Sequence, residues 1–513
     1  MPKTTPAYDA LCAHLRSVGH LTSIAALVSW DQETYMPPKG APMRAEQSSL
    51  LAEITHQRLT DPRVGEWISA CEADATLTKK GSVTAANIRE MRRDYDRRTK
   101  LPSSLVAELA ETGSRAQHVW KDARAKSDFK MFAPWLDKMM ALQRQKAQCY
   151  GVPAGGELYD ALIDEYEPAV TAKEIAAVFG PLRKDLTELV KQVAAAKKKV
   201  NTSCLTLKID PAAQHAFGQK VLEAMGFDLE AGRLDVTTHP FCSGFGAGDT
   251  RLTTRYRDEK FTDALFGTMH EGGHGLYEQG LPKSDPGKKK GVFGQPISEA
   301  VSLGIHESQS RMWENFVGRS REFWTWALPI AAKTMSPKFK SFSVDQMHAA
   351  VNTTTPSLIR VEADEGTYNM HVMIRFEIER SLLSGDMKVK DVPAAWNDRY
   401  ADFLGIKVPD DRRGCLQDVH WSFGLVGYFP TYTLGNLYAA QFWEKINQDM
   451  PGLKKDMTKG KLLDLRDWLK DNIHKHGRRY TAAELCKKVT GKNLEAGPLL
   501  RHLRSKAQAV YGI

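Results

Sequence analysis

No stretch of eighteen consecutive apolar residues occurs in the 513-residue chain, so nothing in it reads as a membrane-spanning helix. The most apolar early segment, LTSIAALVSW, is interrupted by Thr22, Ser23 and Ser29 and lies too far in to be the core of a secretory signal. The expectation is a cytoplasmic protein with no membrane partner. Cysteine is scarce: Cys12, Cys71, Cys149, Cys204, Cys242, Cys415 and Cys486 are odd in number, scattered and never spaced as CxxC. That excludes a disulfide framework and a sulfur-ligated zinc, and leaves reduced thiols. In a chain that is not exported, the sequons at Asn201 and Asn352 stay unmodified.

There is also no fixed repeat period and no low-complexity linker, which argues against a solenoid and against separately tethered domains. The string GFGAG stops short of a dinucleotide loop, because Asp249 stands where GxGxxG needs its third glycine. A formal net charge of +9 would suit a polyanionic partner. However, the lysines and arginines are interleaved with acids on most helical segments, and neither zinc-finger spacing nor an aromatic RNA motif occurs. The basic runs KKK at 197–199 and 288–290 read as solvated loops, and nucleic acid is not an expected partner.

What is present is helical periodicity. Hydrophobic residues at 42% and charged residues at 26% are ordinary globular values. From the start to about residue 230, segments such as SSLVAELAETGSRAQHVW carry a helical stripe, separated by loops at MPPKGAP, TDPR and GVPAGGE. Ser103 or Ser104 and Thr171 are the expected helix caps. Between about 232 and 257 the texture changes to RLDVTTH, PFCSGFGAG and TRLTTRY, which reads as a β-hairpin with a long loop. Helical periodicity then runs from about 261 to the end, interrupted by SDPGKKKG, VPDDRRGC and GYFPTYTLG. The expected architecture is mainly α: one domain over 1–513, a large helical bundle with an N-terminal lobe to about 230 and a second half from about 231.

Within TDALFGTMHEGGHGLYEQG, His270 and His274 are four residues apart, so one helical face carries both imidazoles a turn apart. Glu271 beside them can reach a metal-bound water as general base. Three glycines, Gly272, Gly273 and Gly275, each cost a helix about 1 kcal/mol relative to alanine, which implies a close neighbour. Phe261, Leu265, Phe266 and Met269 would bury the segment. One helix cannot surround an ion, so Glu278 is a poor third ligand. The next helical stretch, ISEAVSLGIHESQSRMWENF, offers Glu299, His306, Glu307 and Glu314, among which spacing alone does not choose.

HEGGH is followed by HESQSR at 306–311, IRVEAD at 359–364 and GCLQDVHW at 414–421, and preceded by HPF at 239–241 and DTRLT at 249–253. Together with WDQETYMPP at 30–38 and TYNMHVMIRFEIE at 367–379, this order resembles the M32 family of metallocarboxypeptidases. The resemblance implies a mainly helical fold of two lobes around a deep groove, a small β element near the site, and a homodimer. It implies His270, His274 and Glu307 as metal ligands and Glu271 as catalytic base, with one divalent ion per subunit, Zn²⁺ or alternatively Co²⁺. One stretch departs from the family pattern: the segment between HEGGH and HESQSR, containing SDPGKKK, is longer than the resemblance leads one to expect, and an insertion there would alter access to the groove.

A carboxypeptidase has to recognise a free α-carboxylate, which an arginine fork matches. Arg251 and Arg360 are the candidates, Arg360 the stronger by resemblance; the structural alternatives are ion pairs with Asp249 and Asp364. His420 and Gln417 are assigned to transition-state or substrate contacts and His239 to the subsites. WDQETYMPP reads as structural, with Trp30 buried and Asp31 and Glu33 bonded to backbone. The competing functions are an aminopeptidase or endopeptidase with the same ligands, and a non-catalytic basic helical scaffold.

Overall fold

The computed structural model describes residues 5–283 and 291–513; the SDPGKKK stretch at 284–290, with its basic run at 288–290, lies outside them. The chain is mainly α. Helices α1 (Pro6–Thr34), α2 (Ala41–Leu59), α3 (Pro62–Ala73) and α4 (Val83–Thr99) come first. They are followed by α5 (Ser103–Lys126), α6 (Phe129–Tyr150), α7 (Leu158–Ile163), α8 (Ala172–Ala195) and α9 (Pro211–Met225). Strands β1 (Gly232–Val236), β2 (Cys242–Gly246) and β3 (Asp249–Thr254) precede α10 (Phe261–Gly280) and α11 (Leu303–Arg311). The remainder is α12 (Arg321–Thr334), α13 (Val344–Val351), α14 (Glu365–Ser384), α15 (Val392–Leu404), α16 (Pro430–Asp449), α17 (Leu453–Met457), α18 (Leu463–Asn472), α19 (Ala482–Thr490) and α20 (Gly497–Tyr511).

Local chemistry sets the helix starts. Asp61 and Asp210 cap α3 and α9 through their side chains, each followed by proline at the first helical position. Thr171 and Glu174 close a capping box on α8, as expected. On α5 the expected serine cap is absent: Pro102 occupies the cap position, and Ser103 and Ser104 are already inside the helix. Trp30 is buried as expected. Asp31, however, pairs its carboxylate with Arg44 at 2.6 Å rather than with backbone, and the carbonyl of Glu33 accepts from Thr237 Oγ1 at 3.1 Å.

Apolar packing divides near residue 100. Leu11, Leu15, Val64, Ile68, Ile88 and Met91 form a small core among α1, α3 and α4. A second, much larger core runs continuously from Ala116 to Ala507, so α5–α9 share it with the chain from about residue 231 onward. α1 is long and apolar enough by length and composition to cross a membrane, yet it buries Leu11, Leu15, Val18 and Trp30 within the protein. Arg478 ties the two cores together through Glu90 and Asp94, each at 2.8 Å.

The β element is three-stranded, ordered β1-β3-β2, where a single hairpin was expected. β1 runs parallel to β3, with Leu234 opposite Leu252, and β2 runs antiparallel, with Cys242 opposite Leu252. The glycine-rich segment read as a link is itself β2. Its glycines mask the alternation that marks a strand, and Gly248 at φ 82 supplies the tight turn into β3.

β3 packs on α10, and Gly272, Gly273 and Gly275 of α10 account for its close neighbours. A Cβ on Gly272 would meet Leu222 of α9, and one on Gly275 would meet Leu252 of β3. At Gly273 it would lie 2.6 Å from the Gln309 carbonyl oxygen, so the backbones of α10 and α11 cross there. Gly273→Ala sets a gain of about 1 kcal/mol in helix propensity against overpacking of about 1–3 kcal/mol. The expected result is a lower Tm, measured by thermal unfolding; an unchanged or raised Tm would mean that the crossing has slack.

Candidate metal centre

The α10–α11 crossing brings three ligand-type side chains to one point. His270 and His274 have ring centroids 4.9 Å apart, and Nε2 of each lies 3.5 Å from Oε2 of Glu307. The three donor atoms all fall within 4.8 Å of one another. Two imidazole nitrogens and one carboxylate oxygen fit a divalent ion of the zinc type, with room left for a further ligand. α16 closes on the far side: a Cβ on Gly435 would stand 2.7 Å from Cβ of Glu307, so only glycine permits this approach.

The residues that spacing left open now separate. Glu314 accepts from Nδ1 of His270 at 3.0 Å. His306 places Nδ1 2.5 Å from Nδ1 of His274 and Nε2 3.0 Å from Glu278, whose other oxygen pairs with Lys283. Arg311 bridges Glu307 at 2.7 Å and Glu314 at 3.0 Å. Glu299 stands apart, on the wall of a cavity of about 340 Å³ with Asp94 and Arg478. Each histidine of the pair is thus backed by a polar group on its other ring nitrogen, which fixes tautomer and ring orientation. We expect Glu314→Gln and His306→Ala each to weaken metal affinity about 10- to 100-fold. Chelator competition measures this, with Glu299→Gln expected to bind like the parent; equal affinities across all three would sink the assignment.

Electrostatics agree with that division. Burial raises Glu307, but Arg311, His270 and His274 override it and hold the carboxyl well below its ordinary range. Glu314 is likewise raised by burial and then brought down to about 2, chiefly by Arg311 and His270. Burial, helped by His306, lowers His274 to about 3, so its imidazole is neutral and keeps its lone pair. Glu271, next to His270 and 6% exposed, is pushed up to about 7 by burial, with His270 opposing. A carboxyl at that position exchanges protons readily near neutrality.

A second cluster gathers around Asp418. Arg360, only 4% exposed, donates from Nε and Nη2 to Asp418 at 3.1 and 2.8 Å and from Nη1 to the Tyr368 hydroxyl at 3.0 Å. The anticipated alternative partner, Asp364, caps α14 instead. The Gln417 amide accepts from the Arg360 backbone N–H and donates to the carbonyls of Leu358 and Gly414, so both its ends are engaged. His420 packs 4.5 Å from Phe429 and approaches the Tyr432 hydroxyl at 3.5 Å, and burial lowers it to about 4. Tyr368 joins the two clusters, because Arg311 sits 4.6 Å above its ring.

Arg251 and His239 lie on the sheet side. Arg251 makes the anticipated pair with Asp249, two bonds of 2.9 Å, and stacks between Trp30 and Phe245. His239 is exposed beyond the end of β1. Asp418, Tyr368, Tyr428 and Tyr432 were not singled out in the sequence. GYFPTYTLG was read as a loop, whereas Pro430 opens α16 and Tyr432 lies in its first turn. Proline at the first helical position was the available signal.

A family model described as carboxypeptidase Taq (M32) metallopeptidase matches residues 10–507. The chain is 44% identical over 513 residues to thermostable carboxypeptidase 1 of Thermus thermophilus, covering 99% of both chains. It is 36% identical over 500 residues to carboxypeptidase 1 of Bacillus subtilis, covering 97% of both. Against the crystal structure of an M32 carboxypeptidase from Deinococcus radiodurans R1 the TM-score is 0.94 at 38% identity, over 99% of this chain and 100% of that one. Trypanosoma cruzi metallocarboxypeptidase 1 gives 0.91 at 33% identity, over 98% and 99%.

Proposed function

Because the chain belongs to the carboxypeptidase Taq (M32) metallopeptidase family, we propose that it releases C-terminal amino acids from peptides by metal-dependent hydrolysis at His270, His274 and Glu307. The observation that carries this reading is the convergence of those three donors beside a buried carboxyl, Glu271. A divalent ion held there, zinc in the first instance and cobalt as a substitute, would polarise the scissile carbonyl and make water acidic enough to ionise near neutral pH.

The remaining chemistry belongs to the chain. Glu271 takes the proton of the attacking water and returns it to the leaving amine, a role suited to a carboxyl held at about 7. Tyr428 and Tyr432, whose rings are 5.4 Å apart, supply hydroxyl donors for the negative charge that develops on the carbonyl oxygen. His420 lies against both rings; burial keeps it neutral, so it donates or accepts without adding charge. Arg360 and Arg251 are the groups proposed to read the substrate's carboxylate, with His239 and Gln417 bordering the subsites.

Zinc as the resident ion, a homodimer as the working assembly and a cytoplasmic location complete the proposal. The last is supported by seven cysteines that are all free. The test is product analysis by mass spectrometry on a peptide and its C-terminally amidated twin, with and without added Zn²⁺ or Co²⁺. Stepwise shortening of the free acid alone supports the reading. Cleavage from the amino end, or trimming of the amide, would favour an aminopeptidase or endopeptidase; no cleavage with metal bound would favour the scaffold.

A further inference from the structure

The segment that carries His420 and leads to Tyr428 is suspended from a buried carboxylate on α14. Glu379 is 0% exposed. Its Oε1 accepts from Trp421 Nε1 at 2.7 Å, and its Oε2 accepts from the Gly427 backbone N–H at 3.0 Å and from the Tyr159 hydroxyl at 2.5 Å. One turn earlier on the same helix, Arg375 donates to Asp418 at 2.7 Å. α14 therefore grips the segment at Asp418, Trp421 and Gly427. His420 lies between the first two grips, and Tyr428 follows the third.

Two features distinguish this arrangement from ordinary packing. Three donors converge on the two oxygens of one carboxyl group, a pattern that no apolar or singly accepting side chain reproduces. The loop also passes too close for any other anchorage: a Cβ on Gly427, at φ 89, would lie 2.9 Å from the Ile163 backbone nitrogen at the end of α7. The Gly427 N–H is thus held between α7, which also carries Tyr159, and α14. Burying a carboxylate is costly, and its use is to impose one geometry on the groups that bind it. The neighbouring apolar core does not need it for filling, since Trp421 already packs edge-on against Trp396 at 6.0 Å.

We propose that Glu379 is a positioning residue for the reaction: by fixing Trp421 and Gly427 it aims His420 and Tyr428 toward the metal-ligating triad. This rests on the reading of His420 as a substrate-contacting group. Glu379 touches neither substrate nor metal ligand, so its removal acts through the loop. Misplacement of a catalytic contact by a fraction of an ångström to an ångström costs about 10- to 100-fold in rate.

The experiment uses the metal-loaded enzyme with Glu379→Gln, His420→Ala and the double variant, recording kcat, KM, bound metal and Tm for each. The glutamine is isosteric but turns an N–H₂ toward donors. The expected result is a fall in kcat of about 10- to 100-fold with KM and metal content unchanged, and a distinctly smaller further fall when Glu379→Gln is added to His420→Ala, because only Tyr428 is then left to misplace. An equal fold-loss in both backgrounds would place Glu379's effect elsewhere and overturn the proposal. So would a crippled His420→Ala beside a fully active Glu379→Gln. If His420→Ala itself keeps full activity, the reading of His420 fails, and the positioning role fails with it. Should Glu379→Gln not fold, Tyr159→Phe removes one of the three donors, leaves the carboxylate in place, and is read in the same cycle.

Discussion

Glu271→Gln is expected to fold, bind metal with parental affinity, and lose about a thousandfold in kcat, within the range general-base removal produces. The substitution changes one oxygen to nitrogen in a side chain that is only 6% exposed, so packing in α10 is retained. Burial penalises the charged carboxyl at this position, so the neutral amide does not destabilise the helix. His270, His274 and Glu307 keep their mutual geometry, because their supports are Glu314, His306 and Arg311 rather than Glu271. Elemental analysis, thermal unfolding and single-peptide kinetics on the same preparation separate the outcomes. Activity within tenfold of the parent would show that another group takes the proton. Loss of metal together with activity would make Glu271 a part of the binding site rather than the base.

How much of this was legible in the sequence depended on whether the interaction was local. His270, Glu271 and His274 were readable because the 3.6-residue period alone puts the two imidazoles on one face. The close neighbour implied by Gly273 was also readable, and it is the α11 backbone at Gln309 and Ser310. The choice among Glu299, His306, Glu307 and Glu314 was not, since it depends on the angle at which α10 and α11 cross; the family resemblance, not the spacing, singled out Glu307. β2 was hidden because Gly244 and Gly246 removed the side-chain alternation by which a strand is recognised. Asp418 gave no local sign at all. It is held by Arg360 and Arg375, 58 and 43 residues earlier in the chain, and only the folded chain brings those cations together. The mainly helical class and the small sheet beside the site came through because they are sums over many local patterns, which single misread elements do not overturn.

Arg360→Lys should raise KM for a free-acid peptide about 100-fold, the worth of a charge-assisted hydrogen-bond pair, and largely erase the preference over the amidated twin. The substitution keeps the charge and removes the planar fork, so it isolates bidentate recognition from simple attraction. Folding should survive, because Asp418 remains paired with Arg375 at 2.5 Å when the Arg360 bonds are weakened. The three bonds Arg360 makes to Asp418 and Tyr368 use one proton on each of its nitrogens, and both Nη atoms retain a second N–H for a substrate oxygen. Arg251→Lys is the comparison. Its pair with Asp249 is partly exposed, at 18% and 42%, and so contributes little to stability; a change in substrate preference there would be a change in recognition. If Arg360→Lys lowers Tm and leaves the free-acid preference intact while Arg251→Lys removes it, Arg360 is the structural partner of Asp418, and the carboxylate is read from the sheet side, between Trp30 and Phe245.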